Sequence, residues 1–139
     1  MTKKIRVIIT DDHAIYREAA CAVLETDPRL EIAGTCSGGA ETLELAGRLI
    51  PDIILMDIQM SPMNGIETTR RITQDFPAVR VIGFSIETGS GIVEKMLAAG
   101  ARGYVTKTSP REEILEAIQK VYEGKKYICR EIREKQGKQ

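Results

Sequence analysis

The chain has 139 residues, with 20 basic against 20 acidic side chains and 42% apolar composition. That is enough chain to bury roughly two-thirds of its unfolded surface in one domain without staples. Charge balance argues against a global pull toward nucleic acid or membrane, no apolar run approaches the ~18 residues of a bilayer span, and three cysteines without a CxxC pair argue against a disulfide framework or zinc site. Met1 to Arg6 carries basic residues with no long apolar segment behind them, so it is not a secretory signal, and the free thiols fit a reducing cytoplasm.

Apolar, β-rich runs alternate with segments of helical period. Arg6–Thr10 reads as a strand and Ala14–Thr26 as a helix with Ile15, Ala19, Ala22 and Val23 on its apolar face. Leu30–Cys36 is a second strand and Ala40–Leu49 a second helix. Asp52–Met56 is a third strand, and its uninterrupted Ile-Ile-Leu-Met suits burial on both faces. Ile66–Asp75 is a helix stopped by Pro77, and Val79–Phe84 a fourth strand. Gly91–Ala99 is a helix closed by Gly100, and Ala101–Thr106 a fifth strand. Pro110–Tyr122 is a last helix, with Ile114, Ala117, Ile118 and Val121 at helical spacing and Gly124 at its stop.

Five βα units in a row imply an α/β domain with a parallel five-stranded sheet covered by helices on both faces. Right-handed crossovers limit its topology to a few, of which the doubly wound flavodoxin-like (βα)5 order 2-1-3-4-5 is the one expected. The domain is read as 1–124. Residues 125–139 hold six basic against two acidic side chains, a balance of +4 that leaves −4 upstream. They read as a basic tail or the start of a linker, in preference to a nucleic-acid arm.

Ligands of open α/β sheets bind at the carboxyl ends of the strands. There the chain places Asp11 and Asp12 after the first strand, Asp57 after the third, Ser85 after the fourth and Lys107 after the fifth. Three carboxylates in one crevice raise one another's pKa, and a hard divalent cation removes that conflict. With an ammonium and a hydroxyl nearby, the set forms a cradle for a phosphoryl group, and an Asp carboxylate can be the nucleophile that receives it. Capping alone could explain adjacent acids before a helix, with Asp12 serving as both cap and ligand, but capping explains neither Asp57 nor Lys107. His13 is expected to begin the helix and point away from the acids.

Asp11-Asp12, Asp57 in DIILMDIQM, Ser85 in VIGFS and Lys107 in GYVTK resemble the signature of the response-regulator receiver domain of two-component systems, over residues 4 to about 123. DDHAIYRE and AAGARGYVTK resemble most the NarL/FixJ (LuxR-type) branch. The resemblance implies that Asp57 accepts a phosphoryl group from a sensor histidine kinase. Asp11, Asp12, Asp57 and the backbone carbonyl of Gln59 would hold Mg2+, with Mn2+ as the alternative ion. Ser85 and Lys107 would bind the phosphate, Ser85 and Tyr104 would form the switch, and Gln59 and Glu87 would tune dephosphorylation. It further implies a cytoplasmic signalling protein that is no enzyme beyond its own phosphorylation and dephosphorylation. Homodimerisation on phosphorylation and DNA contact only through a helix-turn-helix output domain absent from these residues are also implied, with truncation favoured over a stand-alone receiver. A stand-alone or degenerate receiver acting as an interaction module is the alternative. Two rivals fit less well. An aspartate-nucleophile phosphatase typically spaces its two acids after the first strand, and a flavin-binding protein needs a Ser/Thr/Gly-rich phosphate loop there. The chain departs from the family pattern at MSPMNG, where Pro62 falls one residue late and Gly65 supplies the loop's flexible end. It departs again at Thr108, where many members have proline, so a cis peptide after Lys107 is not expected.

Overall fold

The computed structural model describes residues 3–137. Strands and helices alternate as β1 (Ile5–Thr10), α1 (Ala14–Glu25), β2 (Leu30–Cys36), α2 (Gly39–Leu49), β3 (Ile53–Met56), α3 (Gly65–Asp75), β4 (Arg80–Ser85), α4 (Ser90–Ala99), β5 (Gly103–Thr106), α5 (Arg111–Tyr122), β6 (Tyr127–Ile128) and α6 (Arg130–Gly137). All strand pairs are parallel, in the order β2-β1-β3-β4-β5-β6. The sheet has the expected flavodoxin-like order, extended by one strand. All four side chains of β3 are buried, as a central strand covered on both faces requires. Helix α1 packs beside α5, while α2, α3 and α4 pack in succession. No helix among the described residues is long and apolar enough to cross a membrane.

Three features depart from expectation. Helix α1 buries Ala20 and Leu24, whereas Ile15 is 73% exposed and Ala19 and Ala22 face solvent. Alanines are apolar enough to extend a stripe on paper, yet too small to decide which stripe meets the sheet; Leu24 decides it. Asp12 does not cap α1. The cap position belongs to His13, with no side-chain capping bond. Finally, the segment after Gly124 is not a free tail among the described residues. Tyr127 N donates to Arg102 O and Cys129 N to Tyr104 O, which pairs β6 with the edge of β5. Helix α6 then folds back, burying Cys129 and Ile132 completely. Lys138, part of the expected basic tail, lies outside the described residues.

Candidate functional site

The sheet's hydrogen-bond ladder runs one residue past the strands into the crevice. Asp11 N donates to Cys36 O, Asp57 N to Thr10 O and Lys107 N to Ser85 O, each at 3.0 Å. The backbone of these residues is therefore as fixed as the sheet, while their side chains emerge where the pleat ends. Asp11 and Asp57 are each 2% exposed. Lys107 Nζ lies 2.5 Å from Asp11 Oδ2 and 3.4 Å from Asp57 Oδ1. Asp57 Oδ1 also accepts the N–H of Ile58, and Asp11 Oδ1 that of His13, both at 2.9 Å.

One ammonium between two buried carboxylates leaves a negative charge uncompensated. The Asp57 carboxyl registers this: burial first, then the Asp11 charge, push its pKa up to about 6 against the opposing pull of Lys107. Neither Asp11 Oδ2 nor Asp57 Oδ2 accepts a hydrogen bond, and the Lys107 contact is all that Asp11 Oδ2 has. Buried carboxylate oxygens without partners are rare in folded proteins, and Asp57 Oδ2 has neither a hydrogen bond nor the ammonium contact that Asp11 Oδ2 keeps. Asp11, Asp12, His13 and Asp57 each offer a ligand atom, all within 4.8 Å of one another. Oxygen donors with excess negative charge suit a hard divalent cation, so the residues present fit one.

His13 corrects an expectation. Its Nδ1 lies 2.8 Å from Asp12 Oδ1 and 3.4 Å from Asp11 Oδ1, so the ring turns toward the acids. The extended backbone of this cap residue, φ −102° and ψ 115°, precedes the first helical turn, so the helical side-chain direction assumed for it does not apply.

On the opposite wall, Ser85 and Tyr104 both engage Glu87. Ser85 Oγ accepts the Glu87 N–H at 3.1 Å, and the Tyr104 hydroxyl donates to Glu87 O at 2.7 Å. Tyr104 is fully buried; burial above all raises its phenol pKa to about 12, which keeps it a neutral donor. A Cβ on Gly83 would sit 2.8 Å from the Tyr104 ring, so the missing side chain in β4 makes room for it. At the mouth, Gln59 Nε2 donates to Glu87 Oε1 at 2.9 Å. The loop from Ser61 to Asn64 contains a cis Ser61–Pro62 peptide, and the Lys107–Thr108 bond is trans. Asn64 Oδ1 caps α3 by accepting the Glu67 N–H. Gly65 is needed for close approach rather than flexibility, since its Cβ would lie 1.9 Å from Asp57 O.

The family model of the response regulator receiver domain matches residues 7–119. This chain is a response-regulator receiver domain. The transcriptional regulatory protein DegU of Brevibacillus brevis is 37% identical over 125 residues, covering 90% of this chain and 53% of its own length. The response regulator GacA of Pseudomonas aeruginosa is 33% identical, with coverage of 92% and 60%. The receiver thus spans between half and two-thirds of these relatives. A LuxR-family two-component response regulator from Aurantimonas sp. superposes with a TM-score of 0.91 at 32% identity, over 95% of this chain and 94% of that one. The receiver domain of the putative response regulator NarL from Mycobacterium tuberculosis gives 0.85 at 31%, over 88% and 99%. The LuxR/NarL branch follows from these neighbours.

The receiver brings Asp11, Asp12, Asp57 and Lys107 into one cluster, and joins Ser85, Tyr104, Gln59 and Glu87 through Glu87. Sequence reasoning missed Tyr16, Arg17 and Glu131. The Tyr16 ring centroid lies 4.1 Å from Lys107 Nζ. Arg17 Nη1 donates to Asp11 O at 2.8 Å. Glu131 Oε1 accepts from Thr106 and Thr108, which flank Lys107, at 2.8 and 3.2 Å. An aromatic and an arginine one helical turn past the acid pair were a readable signal for the first two. Nothing local pointed to Glu131.

Proposed function

We propose that this receiver is switched by phosphorylation of Asp57. The observation that carries the reading is Asp57 Oδ2, a buried carboxylate oxygen with no hydrogen-bond partner, beside a single ammonium. In transfer from the phosphohistidine of a sensor histidine kinase, an Asp57 oxygen attacks phosphorus in line. The P–N bond breaks, its electron pair stays on the imidazole nitrogen, and an acyl phosphate remains on Asp57. Asp11, Asp12, Asp57 and the Gln59 carbonyl would hold Mg2+, or Mn2+; when bound, the cation neutralises the crowded carboxylates and the phosphoryl oxygens. Lys107 moves its ammonium from Asp11 to the phosphoryl oxygens. Ser85 releases the Glu87 N–H and donates its own proton to the phosphate. Tyr104 is bonded to the same residue's carbonyl, so the phosphate biases a two-state element that includes both side chains. Gln59 and Glu87, joined across the mouth, set how readily water reaches the acyl phosphate.

On this reading the protein is a cytoplasmic signalling domain and no enzyme toward other substrates. Its partners are a sensor kinase, a second receiver on phosphorylation, and DNA through an output domain. The name of DegU as a transcriptional regulatory protein supports that output. The test is intact mass after incubation with acetyl phosphate and magnesium. A gain of one phosphoryl group that needs magnesium and is absent in Asp57→Asn is expected; no gain on the wild type would sink the reading and favour an interaction module.

A further inference from the structure

We infer that Tyr16 is a positioning residue for the Lys107 ammonium, an inference that rests on the phosphoacceptor reading above for its functional consequence. Lys107 is a flexible four-carbon stem carrying a compact point charge, and its side chain is only 5% exposed. On one side of the ammonium stand Asp11 and Asp57. On another lies the face of the Tyr16 ring, 4.1 Å from nitrogen to centroid. A cation within ~6 Å of an aromatic face is attracted by the ring quadrupole, more strongly as water is excluded. Tyr16 is 38% exposed, so the ring has one side on the lysine and another toward solvent.

The ring's placement is built into the start of α1. Tyr16 N donates to His13 O at 3.1 Å. The His13 ring stands edge-on to Tyr16, at 5.7 Å between centroids and 82° between planes. Arg17, the next residue, ties the same turn to the end of β1 through Asp11 O. The first turn of α1 thus presents an aromatic wall at a fixed distance from the strand end that carries Asp11.

The wall answers a need of the site. Asp11 lies 2.5 Å from the ammonium and Asp57 0.9 Å further away at 3.4 Å, so Asp11 holds the charge away from the residue that receives the phosphoryl group. A ring face has no directional acceptor. It stabilises the ammonium over a span of positions and lets it slide from Asp11 toward Asp57 without full hydration. Without the ring, water solvates the ammonium and the Asp11 pair dominates.

The experiment compares wild type, Tyr16→Phe and Tyr16→Leu in two measurements. The first is the NMR shift of the Lys107 Hε protons, read with no phosphodonor present. A ring-current upfield displacement is expected in wild type and Tyr16→Phe, and its loss in Tyr16→Leu. The second is the initial rate of phosphorylation by acetyl phosphate with magnesium. Tyr16→Phe is expected within about twofold of wild type and Tyr16→Leu about three- to tenfold slower, the range a partly desolvated cation–π contact provides. Unchanged Hε shifts across all three proteins, or equal rates in Tyr16→Leu and wild type, overturn the inference. Equal slowing in Phe and Leu overturns it as well, since the hydroxyl would then be the active group. If Tyr16→Leu melts more than a few degrees below wild type, Tyr16→Met replaces it in both measurements. A wild type that shows the ring-current shift but takes no phosphoryl group sinks the phosphoacceptor reading and leaves the Tyr16–Lys107 contact standing.

Discussion

On the proposed function, Asp57 joins the electrostatic cost of a buried carboxylate to the role of phosphoacceptor. A carboxyl whose folded pKa lies near 6 binds a proton in the native state at pH values where the unfolded chain, near the ordinary 3.9, does not. Stability therefore falls as pH rises from about 4 to 6, because the native state holds more protons than the unfolded state across that window. With a chelator present, the protein is expected to melt higher at pH 5 than at pH 7, and Asp57→Asn is expected to abolish much of that difference. The same variant should gain about 2 kcal/mol at pH 7 by removing an uncompensated buried charge, read by urea unfolding; a loss of stability in Asp57→Asn would refute the electrostatic account. At this scale the acids and Lys107 were legible because charged residues seldom follow an unbroken apolar strand without cause. Tyr16 was passed over although its place one helical turn past the acid pair was a signal, because an aromatic near a helix start is usually packing, and the distance to Lys107 is what gives it a role. His13 was misread because a side-chain direction taken from helical geometry fails at the cap.

Elements meet at the site through contacts that local pattern does not contain. Gly65 opens α3, and a Cβ there would enter the carbonyl of Asp57. Gly65→Ala is expected to cost about 1–3 kcal/mol, by overpacking against rigid backbone, and, on the proposed function, to slow phosphorylation as the strand end shifts. Thermal melting and the acetyl phosphate assay check both. Ile50 shows the opposite case. It ends α2 in the left-handed region at φ 44°, where a β-branched residue is strained, and it is half exposed. Ile50→Gly should raise stability by about 1 kcal/mol, a gain that equilibrium denaturation would show; a loss would mean the side chain contributes more than the strain costs. The boundaries of β1 to β5 and α1 to α5 were readable to within a residue or two because apolar periodicity and Gly or Pro stops are strong there. The buried stripe of α1 was not, since Ala19 and Ala22 carry little weight against Leu24.

The whole molecule closes on itself through β6 and α6. Glu131 holds Thr106 and Thr108 on either side of Lys107, and Lys135 Nζ donates to Thr88 Oγ1 at 2.9 Å in the β4–α4 loop. Tyr127 donates to Glu113 and Glu116 on α5 at 2.7 and 3.0 Å, and burial, followed by those carboxylates, raises its phenol pKa. Helix α6 is therefore attached to the loops that follow Ser85 and Lys107, the residues proposed to bind the phosphate. On the proposed function, amide exchange over Arg130–Gly137 is expected to change when the receiver is phosphorylated and to stay constant in Asp57→Asn. Ile132, fully buried, should cost about 2–4 kcal/mol on truncation to Ala; a cost near zero would show that α6 is only loosely held in solution.

The amino-acid sequence by itself determined the alternation of strands and helices, the parallel sheet and its order, and the identity of the charged residues at the strand ends. The alternation and the strand-end residues follow from apolar periodicity, stop residues and the rule that crevices form at carboxyl strand ends, which act over a few residues. The sheet's order follows from its likeness to the flavodoxin-like pattern among the few right-handed topologies. The tertiary structure decided which oxygen is left without a partner, which ring faces the ammonium, and how residues 127–137 fold. Residues 127–128 are too short for any period to register. Their pairing is supplied by the free edge of β5, and their anchor by Cys129 and Ile132 finding apolar surface distant in sequence. Such choices depend on contacts between residues tens of positions apart, which become definite only when the sheet has brought them together.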